Sequence, residues 1–121
     1  MSSTSDSARS LLVIDDDEDF CASMRDLLTG RGYAVETVRS AREALDRLAV
    51  GNLPCAVLVD LRMPEMDGYA FLAACNVDAR LRDLPVIVVS AYGDPTGIEV
   101  DFLSKPVNVS RLLRSLEKIT G

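Results

Sequence analysis

LLVIDDDEDF, residues 11–20, carries the two patterns that decide the fold: four consecutive apolar residues, Leu11 to Ile14, run directly into Asp15, Asp16, Asp17, Glu18 and Asp19. A short apolar run without alternation reads as a strand buried on both faces. Acidic residues at its end suit the start of a helix, where negative charge meets the helix dipole. That helix is marked by Phe20, Met24, Leu27 and Leu28 at helical spacing, and Gly30 and Gly32 close it. The same unit recurs down the chain. Ala34 to Val38 precedes Ala41, Ala44, Leu45 and Leu48, with Ser40 and Glu43 at the spacing of a capping box and Gly51 and Pro54 behind them. AVLV, residues 56–59, leads to Asp60, the loop MPEMDG and a helix bearing Phe71, Leu72 and Cys75. PVIVV, residues 85–89, leads to Ser90, and Asp101 to Ser104 forms a short last strand. Val109, Leu112, Leu113, Leu116 and Ile119 mark one face of the closing helix, with Asn108 as its N-cap.

Continuous apolar strands alternating with amphipathic helices predict an α/β fold, a parallel sheet covered on both faces by right-handed crossovers. Residues 10–121 form one domain, and the small polar residues 1–9 form a disordered tail. One connection departs from the scheme. AYGDPTGIEV, residues 91–100, is short for a crossover with its own helix, so an irregular loop or one helical turn is expected there.

Composition narrows the function. The 121 residues hold 13 Lys and Arg against 19 Asp and Glu, a net charge of −6, which disfavours nucleic acid and membrane surfaces as partners. No apolar stretch approaches the roughly 20 residues that span a bilayer, and the opening MSSTSDSARS is too polar for a signal peptide. The histidine count is zero, which removes Ser-His-Asp hydrolysis, Cys-His catalysis and His-ligated zinc together. Cys21, Cys55 and Cys75 lie in or beside apolar segments without a CxxC spacing, and read as buried, reduced and cytoplasmic.

In a parallel sheet the carboxyl ends of the strands share one edge, and ligands bind there where the strand order reverses. The residues at those ends are Asp15, Asp16, Asp60, Ser90 and, just past the fifth strand, Lys105. Carboxylates about 4 Å apart repel by roughly 4 kcal/mol per pair at an effective dielectric of 20, so such a cluster calls for a cation. Mg²⁺ suits an all-oxygen donor set, and Lys105 would place a point charge on the far side of a phosphoryl group.

LLVIDDDEDF, LVDLRMPEMDGYAF, PVIVVSAYGD and FLSKP together resemble the receiver domain of bacterial response regulators, from about Leu11 to Ile119. The resemblance implies a five-stranded, flavodoxin-like sheet of order 2-1-3-4-5. It implies that Asp60 accepts a phosphoryl group from a histidine kinase, a histidine phosphotransfer protein or a small acyl phosphate. It makes Asp15, Asp16, Asp60 and the backbone carbonyl of Arg62 the Mg²⁺ ligands, Lys105 a phosphoryl contact aimed by a cis bond to Pro106, and Ser90 and Phe102 the switch pair. Such a domain is a cytoplasmic signalling phosphoacceptor in a two-component phosphorelay, not an enzyme in the usual sense, and a monomer or weak dimer. No output domain follows the last helix, so a stand-alone receiver or a piece of a longer chain is expected.

Plainer readings stand beside these. Asp17 and Asp19 serve the helix N-terminus, and Arg111, Arg114 and Lys118 form a solvated face that also complements the dipole of the last helix. Phe102 could be plain core. The short segment 91–100 departs from the family, which has a full fourth helix there, and puts the usual output surface in question. Bulky Arg62 and Tyr92 suggest slow self-dephosphorylation. Two rivals remain: a docking module of the same fold that is never phosphorylated, and a haloacid-dehalogenase-like phosphatase with Asp15 as nucleophile and Asp17 as acid.

Overall fold

The central strands are buried because their sequence is apolar apart from Ser10 at one end and Ser90 at the other, and the edge strands mix polar with apolar residues. A computed structural model describes residues 9–61, 63, 68–91 and 101–120. Its elements run β1 (Ser10–Ile14), α1 (Glu18–Thr29), β2 (Ala34–Val38), α2 (Ala41–Leu48), β3 (Ala56–Val59), α3 (Gly68–Asn76), β4 (Val86–Ser90), β5 (Asp101–Ser104) and α4 (Val109–Thr120). The five strands form one parallel sheet in the order β2-β1-β3-β4-β5. AVETV of β2 and DFLS of β5 mix polar with apolar residues and lie at the two edges, where one flank meets solvent.

Strand periodicity sorts the core into two layers. Leu11, Val13, Leu58, Ile87 and Val89 pack with Cys21, Met24 and Leu28 of α1 and Leu112 and Leu116 of α4. Leu12, Ile14, Val57, Val59 and Val88 pack on the opposite face with Ala41, Ala44 and Leu48 of α2 and Phe71 and Cys75 of α3. This is the doubly wound α/β arrangement expected from the alternating pattern. Among the described residues no helix is long and apolar enough to cross a membrane.

The helix starts follow the sequence signals with one shift. Asp17 caps α1, its carboxylate accepting the N–H groups of Asp19 at 3.0 Å and Phe20 at 3.3 Å. Ser40 caps α2 by accepting the Glu43 N–H at 3.0 Å, but the Glu43 carboxylate reaches one residue further back, to the Arg39 N–H at 2.9 Å. Asn108 accepts the Arg111 N–H at 3.0 Å as the N-cap of α4. Gly32, at φ 92°, and Gly51, at φ 71°, occupy the left-handed region in which a side chain is strained.

Of the expected tail of residues 1–9, residues 1–8 lie outside the described residues, and the described Arg9 has partners in the fold. Its Nε and Nη2 donate to the carbonyls of Gly32 at 3.2 Å and Arg31 at 3.1 Å, and its guanidinium lies 4.5 Å from the centre of the Tyr33 ring. The expectation of an irregular segment between β4 and β5 falls on residues 92–100, outside the described residues.

Two arginines hold the turn after α2. Arg47 pairs with the Glu36 carboxylate of β2, Nε to oxygen 2.9 Å, and donates to the carbonyls of Val50 at 3.1 Å and Asn52 at 3.3 Å. From beyond α3, Arg80 donates to the carbonyls of Leu48 and Gly51, the latter at 2.8 Å. The Leu48 carbonyl at the helix end has no partner within the helix, so Arg80 stands where a cap would, while the other bonds hold the turn beyond it. Arg80→Ala is expected to lower stability by about 1 kcal/mol, a fall of about 3–5 °C in Tm by thermal unfolding. An unchanged midpoint would mean that water replaces both bonds without loss.

Candidate functional site

Strand order reverses between β1 and β3, since β1 connects through α1 to β2 on one side while β2 connects through α2 to β3 on the other. The crevice at such a reversal opens at the carboxyl ends of the two strands. Asp15 follows β1, and its N–H donates to the Val38 carbonyl at 3.1 Å. Asp60 follows β3, with its N–H on the Ile14 carbonyl at 3.0 Å. Both continue the ladder by one residue, which holds their Cα positions as firmly as the sheet itself. Asp15 is 1% and Asp60 8% exposed, values rare for carboxylates without partners, while Asp16 is exposed.

Lys105 supplies the opposing charge. It lies just past β5, its N–H donates to the Ser90 carbonyl at 3.0 Å, and its bond to Pro106 is cis. Its ammonium donates to Asp15 Oδ2 at 2.7 Å and stands 3.7 Å from Asp60 Oδ2. Asp15 Oδ1 accepts the Asp17 N–H at 3.0 Å. One oxygen each of Asp15, Asp16 and Asp60 can be chosen so that all three lie within 4.8 Å of one another. This is a hard, all-oxygen donor set that fits Mg²⁺ or a similar divalent cation and offers nothing to a soft metal.

The electrostatics favour added positive charge. Burial pushes the Asp15 carboxyl above its ordinary value; the bond from Lys105, the Asp17 N–H and the Lys105 charge oppose this, and Asp60 adds to the rise. Burial pulls the Lys105 ammonium down, but its bond to Asp15 and the charges of Asp15, Asp60 and Asp17 outweigh that and leave it raised. Asp15 is raised mainly by its burial and Lys105 by the carboxylates around it, and both directions favour positive charge in the crevice.

Ser90 ends β4 fully buried, opposite Ser104 in the register of β5. Phe102 lies opposite Val88, half-buried against the layer under α2 and α3, and lines a surface groove with Arg111, Arg114 and Lys118 of α4. Those three basic residues are exposed. The structure thus brings Asp15, Asp16, Asp60 and Lys105 together and puts Phe102 on the outer strand. Arg62 and Tyr92 lie outside the described residues. Asp17 is engaged as the helix cap. Cys21 and Cys75 are buried and Cys55 is half-buried; all three are free thiols, and burial raises each thiol pKa, that of Cys75 to about 11, which suits reduced, unreactive thiols.

Two residues of the site were not legible as such. Asp67-Gly68 reads as turn chemistry, yet Gly68 begins α3 against the backbone of the site. Its N–H donates to the Leu61 carbonyl at 3.1 Å, and a Cβ would stand 2.5 Å from the Asp60 carbonyl oxygen and 2.7 Å from Leu61 Cα. Phe20 reads as part of the apolar face of α1, yet Lys105 Nζ lies 4.1 Å from the centre of its ring. The glycine of a DG pair at a helix start, eight residues beyond a strand-end Asp, was the one available signal for Gly68. Nothing in the spacing marks Phe20.

The family model for the response regulator receiver domain matches residues 11–117. The chain belongs to the response-regulator receiver family. This receiver domain is 32% identical over 120 residues to the polar-differentiation response regulator DivK of Brucella ovis, covering 93% of this chain and 97% of that protein. It superposes with a TM-score of 0.83 on the signal receiver domain of a signal transduction histidine kinase from Syntrophus aciditrophicus, at 29% identity over 92% of this chain and 89% of that one. A response regulator receiver protein from Pseudomonas putida gives a TM-score of 0.82 at 29% identity, over 90% and 95% of the two chains. This receiver domain therefore belongs to two-component signalling, and its acidic cluster lies where its fold places ligands.

Two outcomes follow from the packing and charge of the site. Gly68→Ala should destabilise the domain by about 1–3 kcal/mol in urea unfolding, although alanine is the better helix former by about 1 kcal/mol. A gain would show that the backbone contact relaxes freely. Asp60→Asn should raise the metal-free Tm at pH 7 by about 3–5 °C, on the order of 1 kcal/mol, by removing a charge that crowds Asp15. Because the folded Asp15 value is raised, its contribution to stability is present at low pH and lost as pH rises through that value. The difference between wild type and variant should therefore narrow in acid, and a difference independent of pH would sink this account.

Proposed function

We propose that this receiver takes a phosphoryl group on Asp60, in a Mg²⁺-dependent step, from a histidine kinase, a histidine phosphotransfer protein or a small acyl phosphate. The observation that carries the reading is the convergence of Asp15, Asp16 and Asp60 oxygens within 4.8 Å, with Lys105 Nζ 2.7 Å from one of these carboxylates and 3.7 Å from another. Asp15, Asp16 and Asp60, with the backbone carbonyl of Arg62, would hold the cation. Bound there, Mg²⁺ supplies neutralisation of the negative charge that otherwise keeps a phosphoryl group out.

An Asp60 carboxylate oxygen attacks phosphorus as the bond to the donor's nitrogen or oxygen breaks, and the leaving group carries off the bonding pair. Phosphoryl transfer needs little covalent assistance from the protein, so positioning and charge do most of the work. Asp60 is held by the sheet ladder at its N–H, and Lys105 stands within reach of an oxygen of the incoming group. The Ser90 hydroxyl is the hydrogen-bond donor for another oxygen.

The output follows from the same contacts. Movement of Ser90 toward the phosphoryl group leaves space behind it, and Phe102, half-buried on β5, turns inward to fill it. The groove beside Phe102 then changes shape, which alters partner binding. The chain is a phosphoacceptor that assists its own modification and is not an enzyme acting on a separate substrate. Its partners are a phosphodonor protein and a downstream protein, and its compartment is the cytoplasm.

Intact-mass spectrometry after incubation with acetyl phosphate or phosphoramidate tests the reading. One added phosphoryl group is expected, dependent on Mg²⁺ and absent in Asp60→Asn, and Lys105→Ala should slow its addition about 10²-fold. No adduct in any condition would leave a docking module of the same fold as the better account.

A further inference from the structure

We propose that Phe20 is a positioning residue for Lys105: its ring face carries the ammonium in the carboxylate crevice and keeps it there when a divalent cation occupies the acidic cluster. This rests on the phosphoacceptor reading of that cluster. Phe20 lies in the first turn of α1, its N–H held by the Asp17 cap at 3.3 Å and its side chain half-buried against the layer beneath α1 and α4. Lys105 Nζ stands 4.1 Å from the ring centre, well inside the roughly 6 Å over which a cation is attracted to an aromatic face. The same atom donates to Asp15 Oδ2 at 2.7 Å and faces Asp60 Oδ2 at 3.7 Å. Two carboxylates and one ring therefore enclose it.

The ring matters because the carboxylates serve two masters. A cation held by Asp15, Asp16 and Asp60 takes up the negative charge that anchors Lys105. A lysine without its partner regains the freedom of a flexible four-carbon stem. An aromatic face is not a ligand for a hard cation such as Mg²⁺, so its hold on the ammonium survives when that cation binds. Its attraction is also spread over the ring and is not aimed along one bond. The ammonium can therefore shift from Asp15 toward an oxygen of the phosphoryl group on Asp60 without leaving the ring. Leucine at this position would fill the same space and offer no negative face.

The test uses the whole chain with ¹³C-labelled lysine, in wild type, Phe20→Leu and Phe20→Tyr. Lys105 and Lys118 are the chain's two lysines, so the spectrum holds two ε-methylene signals, assigned by Lys118→Arg. In wild type and Phe20→Tyr the Lys105 signal should be displaced upfield of the Lys118 signal by the ring, and should stay so on adding Mg²⁺. In Phe20→Leu, which has no ring, that displacement should be absent with or without Mg²⁺. At saturating Mg²⁺ and unchanged Tm, phosphorylation by phosphoramidate should slow about fivefold in Phe20→Leu and keep its wild-type rate in Phe20→Tyr. A wild-type Lys105 signal that joins that of Lys118 once Mg²⁺ is present overturns the proposal. So does a Phe20→Leu rate equal to wild type, or an equal loss in both variants, which would mark steric packing alone. A wild type that takes up no phosphoryl group would instead defeat the phosphoacceptor reading, and the lysine spectra would then decide on the ring contact by themselves.

Discussion

Lys105 and Asp15 are 90 residues apart in the chain and 2.7 Å apart in the fold, one just past an edge strand and the other just past a central one. Their ion pair crosses the carboxyl edge of the sheet and sits over Asp60, so it ties three strand ends into one crevice. A buried pair of this kind contributes little stability by itself, because removing two charges from water offsets their attraction. Its contribution is arrangement. The sheet holds the carboxylates near one another against their repulsion, and the lysine partly neutralises a cluster that burial alone would oppose.

Most of this was legible along the chain because the relevant signals are local. Apolar runs without alternation marked β1, β3 and β4 as interior strands, and the polar interruptions in AVETV and DFLS fit the two edges. Each functional group ends a strand or directly follows one, so knowing that the strands are parallel was enough to bring Asp15, Asp60, Ser90 and Lys105 to one edge. The capping residues were legible for the same reason, each acting within four residues of its own position.

What was not legible depends on contacts between elements. Gly68 is set by the closeness of the α3 start to the Asp60 backbone, a distance that no periodicity encodes. Phe20 fits the apolar stripe of α1, and only the placement of Lys105 above its ring separates it from the other core residues of that helix. Arg9 fell among small polar residues that gave no reason for order, yet its partners are backbone carbonyls at Arg31 and Gly32, groups present in any sequence. The reach of Glu43 to Arg39 instead of Ser40 likewise turns on how the chain enters α2.

The two apolar layers are built from alternate residues of the same strands and meet only through the backbone of the sheet. In β5 this alternation is reduced to its smallest form: Phe102 belongs to the layer under α2 and α3, and its neighbour Leu103 to the layer under α1 and α4. The strand is four residues long and lies at an edge, with β4 on one flank alone. The outer strand thus lends one side chain to each of two apolar compartments that the backbone of the sheet keeps apart.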